Sequence, residues 1–193
     1  MNGMQHKGFT LMEVMVALFV LSVGILGVIS LQLFAQQNNY DAIQRTTAAV
    51  LASSIVERMR INRESIGSYP GVAEPVPDTA FPATCINLPG CTPVQLAAHD
   101  LQEWYSLISG ATESSADGEF TGGLVAPSAC IRRDPEGKGG SAGATEFRIA
   151  IAWRGRSAIS DPTLDDCGAG ALPALYGDDN EFRRLFLLDV KIE

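Results

Sequence analysis

The sequence predicts an α+β fold: a long N-terminal α-helix, apolar and then amphipathic, packed on a small antiparallel β-sheet with a short second helix. Three observations predict it. From Phe9 to Phe34 run 26 residues whose only charge is Glu13, and no proline or glycine interrupts the chain from there to about Asn62. A capped amphipathic segment begins at Thr92. Towards the C-terminus, FRIAIAWRG and RRLFLLDVKIE both alternate apolar and polar positions with period two. A chain of 193 residues allows one modest globular unit plus a long extension.

The apolar run is long enough to cross about 30 Å of hydrocarbon as a helix. The basic residue before it is Lys7, beside His6, so the short N-terminal end stays cytoplasmic and everything after residue 34 is exported. A secretory signal has a shorter apolar core with a small-residue cleavage site behind it. Here the run is longer, and the conspicuous small residue, Gly8, stands in front. A carboxylate at the centre of a bilayer helix costs about 2.5–3.5 kcal/mol, so Glu13 demands a partner. The bland alternative is a signal anchor whose Glu13 snorkels to the headgroups. Ser22, Gly24, Gly27 and Ser30 stud the same helix at spacings that permit close helix approach.

Beyond the apolar run, Ala48, Leu51, Ala52, Ile55 and Met59 share one helical face, while Glu57, Arg60 and Glu64 share another. The stripe reads as core packing against a domain. At 1.5 Å per residue the helix from Phe9 measures about 80 Å. Residues 67 to 93 then read as a loop rich in Pro, Gly and Ala, in which NLPG turn chemistry separates Cys85 from Cys91. Thr92-Pro93-Val94-Gln95 places a capping residue, a first-turn proline and a capping-box glutamine in order. Val94, Ala97, Leu101, Trp104 and Ile108 follow at helical spacing. Strands are expected at Ala129 to Arg133, near Glu119 to Val125, and at the two alternating stretches. In the first of these, Phe147, Ile149, Ile151 and Trp153 form the buried side, as Phe186, Leu188, Val190 and Ile192 do in the second. PEGKGGSAG, between the Ala129 to Arg133 strand and FRIAIAWRG, reads as a hairpin loop.

Net charge −8 and a pI near 4.7 argue against phosphate backbones as the main partner. Cys85, Cys91, Cys130 and Cys167 all follow the apolar run, and an even number in an exported domain suggests two disulfides. Metal is the competing reading, but the two histidines, His6 and His99, lack ligand spacing to the cysteines. A Cys130–Cys167 bond would tie the acidic stretch from Asp161 to Glu181 to the sheet, and crossed pairings with Cys85 or Cys91 stay open. The carboxylates Asp161, Asp165, Asp166, Asp178, Asp179 and Glu181 could offer oxygens to calcium. They lack the D-x-D-x-D-G register, so a solvated loop is the expectation. Gly139 to Gly143 formally fits G-x-S-x-G, without the strand before, the helix after or the later histidine that a nucleophile elbow needs. No phosphate-cradling glycine loop with its lysine is present in the sequence. No catalytic residue, metal or cofactor is expected.

The stretch KGFTLMEVMVA resembles the leader of type IV prepilins and of the related type II secretion pseudopilins. The resemblance implies cleavage by a prepilin peptidase between Gly8 and Phe9, N-methylation of Phe9, and a role for Glu13 in registering one subunit on the next. The physics agrees, because an amine on one Phe9 and a neighbour's Glu13 would pair in a low-dielectric bundle. Many major pilins carry a proline in the second half of this helix. This chain has none there, and Gly24 and Gly27 are the local weak points.

The segment CTPVQLAAHDLQEWYSLISG is similar to PilV-type minor pilins, the type IV pilus modification proteins, through Ala97, Asp100, Leu101 and Trp104. This resemblance implies a type IV pilin-like fold divided as leader 1–8, membrane and filament-core helix 9–34, amphipathic continuation 35–66 and globular head 67–193. It further implies a single-pass inner-membrane precursor with a periplasmic head, later extracellular in the pilus. Its role would be to prime pilus assembly and present a tip adhesin, supporting twitching motility and adhesion. The implied partners are the prepilin peptidase, other minor pilins, the major pilin, the tip adhesin and the inner-membrane assembly platform. A minor pseudopilin is one alternative. A DNA-uptake pilin is another, and would need Arg132, Arg133, Lys138, Arg154, Arg156, Arg183 and Arg184 to form an exposed basic stripe.

Overall fold

The computed structural model describes residues 8–74, 76, 85, 90–113, 116, 122–133, 145–161, 164–170 and 173–192. His6, Lys7, the whole of PEGKGGSAG including Lys138 and Gly139 to Gly143, and the stretch from Glu119 to Thr121 lie outside the described residues. The chain divides into two compact units, Met1–Tyr40 and Asp41–Glu193. Helix α1, Leu11–Ile61, contributes residues to both.

In the first unit the described residues from 8 to 39 are all exposed. An 18-residue window of this stretch is apolar enough to cross a membrane, and none of it is buried within the protein. The Ser22 hydroxyl donates to the Phe19 carbonyl at 2.7 Å and Ser30 to the Leu26 carbonyl at 3.0 Å. Both serines therefore meet their own hydrogen-bonding need, as apolar surroundings demand.

In the second unit, α1 buries Gln44, Ala48, Leu51, Ala52, Ile55, Val56 and Met59. The apolar spacing read from the sequence is the buried face. The helix stops at Ile61 and a 3₁₀ turn, Arg63–Ser68, follows. Strand β1, Gly71–Ala73, comes next, then α2, Pro93–Ser109. The remaining elements are β2 (Ser128–Arg133), β3 (Thr145–Arg154), the single turn α3 (Pro173–Tyr176) and β4 (Arg183–Ile192). The sheet is an antiparallel meander in the order β1-β2-β3-β4, with Cys130 opposite both Val72 and Ala150, and Ile149 opposite Leu188. One core joins α1, α2 and one sheet face: Ile55, Met59, Trp104, Ile108, Ile131, Phe147, Ile149, Ile151 and Trp153 are buried together.

Four expectations need correction. The loop from 67 contains β1, which three residues of no periodicity could not announce and which pairing with β2 creates. Gly122 to Val125 form bends rather than a strand. Their backbone turns to the helices instead, Leu124 N–H donating to Ile108 O at 2.8 Å and Val125 N–H to Gln44 Oε1 at 3.3 Å. A side chain at Gly123, whose φ is +77°, would collide with the end of α2, so only glycine allows this approach. Val94 is exposed, because the first turn of α2 reaches past the core. Finally, β3 is not half-buried: Ala150 and Ala152 are as buried as the large residues between them. Around Ala150, a second cluster of Cys130, Cys167, Leu185 and Leu187 covers the other face.

Candidate processing and assembly site

Gly8, Phe9 and Thr10 precede α1 in irregular backbone, and all three are exposed. The Thr10 hydroxyl accepts the Glu13 N–H at 3.3 Å, and the Thr10 carbonyl accepts Glu13 N–H at 3.1 Å and Val14 N–H at 3.3 Å. Thr10 is thus the cap of α1, and Glu13 stands in its first turn, where the helix dipole favours a negative charge. The capping role of Thr10 was missed in the sequence, although the order Thr-x-x-Glu is its signature. A Cβ added to Gly8 meets nothing within 4 Å, and Phe9 is 83% exposed. Among the described residues, no packing contact requires glycine at position 8. The Glu13 carboxylate has no partner among the described residues. An amine on Phe9 would lie just before the capped first turn, at its positive end, where it needs an anion nearby.

The head holds the rest of α1 through polar as well as apolar contacts. Trp104 Nε1–H on α2 donates to the Leu51 carbonyl of α1 at 2.8 Å. Arg58 of α1 donates to Asp100 Oδ1 at 3.1 Å and Glu103 Oε2 at 2.7 Å, while Tyr69 donates its hydroxyl proton to Asp100 Oδ2. Asn62 closes the group, donating to Tyr69 Oη and the Pro93 carbonyl. The Arg58 hydrogen bond holds the Glu103 carboxyl below its ordinary value. Burial, reinforced by the Asp100 carboxylate, pushes the Tyr69 phenol up. Ala97, Asp100 and Trp104 lie on the buried side of α2 and Leu101 is half-buried. The Thr92 and Gln95 side chains accept each other's backbone N–H, a complete capping box.

The four cysteines are bonded as Cys85–Cys91 and Cys130–Cys167. Glu74 lies beside the second pair, but two sulfurs bonded to each other are not thiolates and offer no metal site. Its Oε1 instead accepts the Gly168 N–H at 2.6 Å. The acidic stretch is organised by arginine. Arg183, 1% exposed, donates to Asp161 Oδ1 at 2.8 Å and to the carbonyls of Asp165 at 2.9 Å and Cys167 at 2.7 Å. Those are oxygens that calcium would use, and a guanidinium holds them. Arg132 pairs with Asp165 and Asp166, and Arg148 pairs with Asp189, holding its carboxyl below the usual range. Tyr176 anchors the end of the stretch, donating to the Ala126 carbonyl at 2.7 Å, and burial pushes its phenol up to about 12. Sequence reasoning missed Arg183, whose charge reads as surface until the fold buries it. Arg132 and Arg183 are committed to carboxylates rather than to an open basic stripe.

Comparison with known proteins gives two family matches. The family model described as prokaryotic N-terminal methylation motif matches residues 3–29, and that described as type IV pilin Tt1218 matches residues 30–102. No significant match emerges among curated proteins or solved structures. The methylation motif spans Gly8 to Glu13, and the pilin match covers α1 from Ser30 onward and the capped first half of α2, including the buried Ala97 and Asp100. With a long apolar N-terminal helix, a second helix and a small antiparallel four-stranded sheet, the chain has the layout of the type IV pilin fold and is similar to that family over residues 3–102.

Proposed function

We propose that the protein is a minor pilin of the PilV type. Residues 1–8 are its leader, 9–34 its membrane and filament-core helix, 35–66 the amphipathic continuation and 67–193 the head. A prepilin peptidase cuts between Gly8 and Phe9 on the cytoplasmic side of the inner membrane, and Phe9 is N-methylated. The head folds in the periplasm before the subunit enters the pilus and becomes extracellular. Glu13 pairs with the Phe9 amine of a neighbouring subunit and so sets the stagger between them. The role is structural rather than enzymatic: contacts with other minor pilins, the major pilin, the assembly platform and a tip adhesin prime assembly.

One observation carries this reading. The apolar surface of α1 up to residue 39 is uncovered, and Gly8 answers to nothing among the described residues. Apolar surface on that scale needs a cover, and lipid followed by neighbouring helices supplies it. The glycine serves an enzyme that must accommodate the backbone at position 8. Net acidity and the pairing of arginines with carboxylates support a protein partner over nucleic acid.

Intact mass of the protein from sheared pili and from membranes, with and without the prepilin peptidase, tests it. A low-abundance chain beginning at methylated Phe9 in the sheared fraction is expected. A full-length chain confined to the membrane in both strains would overturn the reading.

A further inference from the structure

Among the described residues of the second unit, three buried polar atoms have no hydrogen-bond partner: Asp41 Oδ1, Trp153 Nε1 and Arg184 Nη1. They belong to neighbouring residues. Trp153 and Arg184 face each other across β3 and β4, and Arg184 Nη2 stands 3.7 Å from Asp41 Oδ2. That distance is a charge contact, too long for a hydrogen bond. Trp153 and Arg184 are not placed to solve their need by turning. Trp153 is 2% exposed within the core. Arg184 Nη2 donates to the Ser157 carbonyl at 2.7 Å and hydroxyl at 3.2 Å. The guanidinium also lies where a side chain on Gly155 would stand.

Buried donors and acceptors left unpaired are rare in folded proteins, and three on residues joined by one strand pairing and one charge contact call for a common complement. The complement must accept two hydrogen bonds, donate one and carry no charge, because Asp41 and Arg184 already balance each other. A water molecule meets all three conditions, and buried waters commonly make about three hydrogen bonds to such groups. We propose that Asp41, Trp153 and Arg184 hold one buried water, which accepts from Trp153 Nε1–H and Arg184 Nη1–H and donates to Asp41 Oδ1. Asp41 is the first residue of the second compact unit. The water therefore makes a hydrated joint between that point of α1 and two strands of the sheet.

The test uses the full-length protein in detergent micelles with ¹⁵N-labelled tryptophan. The chain has two tryptophans, so two indole signals appear, and Trp104, bonded to the Leu51 carbonyl, is the dry control. Cross-relaxation from a long-lived water to the Trp153 indole proton, and none to Trp104, is the expected result. Its absence at Trp153 overturns the proposal. A second measurement compares urea unfolding of Asp41→Ala, Trp153→Phe and the double variant. A shared water makes the double loss smaller than the sum of the single losses, which separates it from the packing cost of Trp153→Phe. Strictly additive losses overturn the proposal.

Discussion

From Leu11 to Tyr40, and from Asp41 to Ile61, α1 keeps the same backbone geometry and answers to different surroundings. In the first stretch Leu18, Phe19, Leu26 and Phe34 are each at least 60% exposed. In the second, Ala48, Ala52, Ile55 and Met59 are completely buried. Backbone hydrogen bonds alone make a helix in either case, but only the second stretch is held by tertiary packing. The two halves therefore fail separately: one in processing and assembly, the other in folding.

The largest expected effect falls on the first half. Gly8→Val should abolish cleavage outright, read as a precursor of unchanged mass, while the urea midpoint of the head stays put because a side chain there meets nothing. A lowered midpoint would break the comparison. Trp104→Ala should do the reverse. It removes a fully buried indole and its bond to Leu51, costing about 3–5 kcal/mol in urea unfolding, yet the precursor should still be cut at Gly8.

Arg183→Met tests the head away from α1. It leaves the Asp161 carboxylate and two carbonyls without their donor, and a loss of about 3 kcal/mol in the same measurement is expected. Tyr176 sharpens the comparison at high pH. Its folded-state value, about 12, lies above the ordinary value near 10. Its contribution is therefore complete below pH 10 and disappears as pH climbs towards 12. Tyr176→Phe should flatten that part of the stability profile. The smallest effect belongs to Glu103, whose carboxyl is held low by Arg58 and is partly exposed. A lowered value makes its contribution complete above the unfolded carboxylate range and lost as pH falls through the folded value. Glu103→Gln should reduce the acid slope slightly without moving the neutral midpoint by more than Arg58→Gln does.

The helices were legible because their signals are local. The buried stripe of α1 and the complete cap of α2 depend on spacing within a few residues. What depended on distant partners was not. β1 exists only against β2, and Gly122 to Val125 bend because Ile108 and Gln44 take their backbone bonds. Arg183 looked like one more surface cation, until burial made it the centre of the acidic stretch. The residues from Gly8 to Glu13 are contiguous, so naming them required no tertiary knowledge. The Thr10 cap was equally readable. Asp41, Trp153 and Arg184 lie on three separate elements, and no periodicity joins them.

The order of the sheet also sets a clock. β4 pairs along the whole of β3, and Ile192, near its far end, is buried in the same core as Ile55. The head therefore cannot close until the last strand has emerged into the compartment where folding occurs. α1 leaves the ribosome more than a hundred residues earlier, early enough to be seated before the head is complete. In that interval Cys130 waits for Cys167, and Leu51 for Trp104, so an oxidant or a chaperone acting on this chain has its opportunity then and loses it when β4 docks.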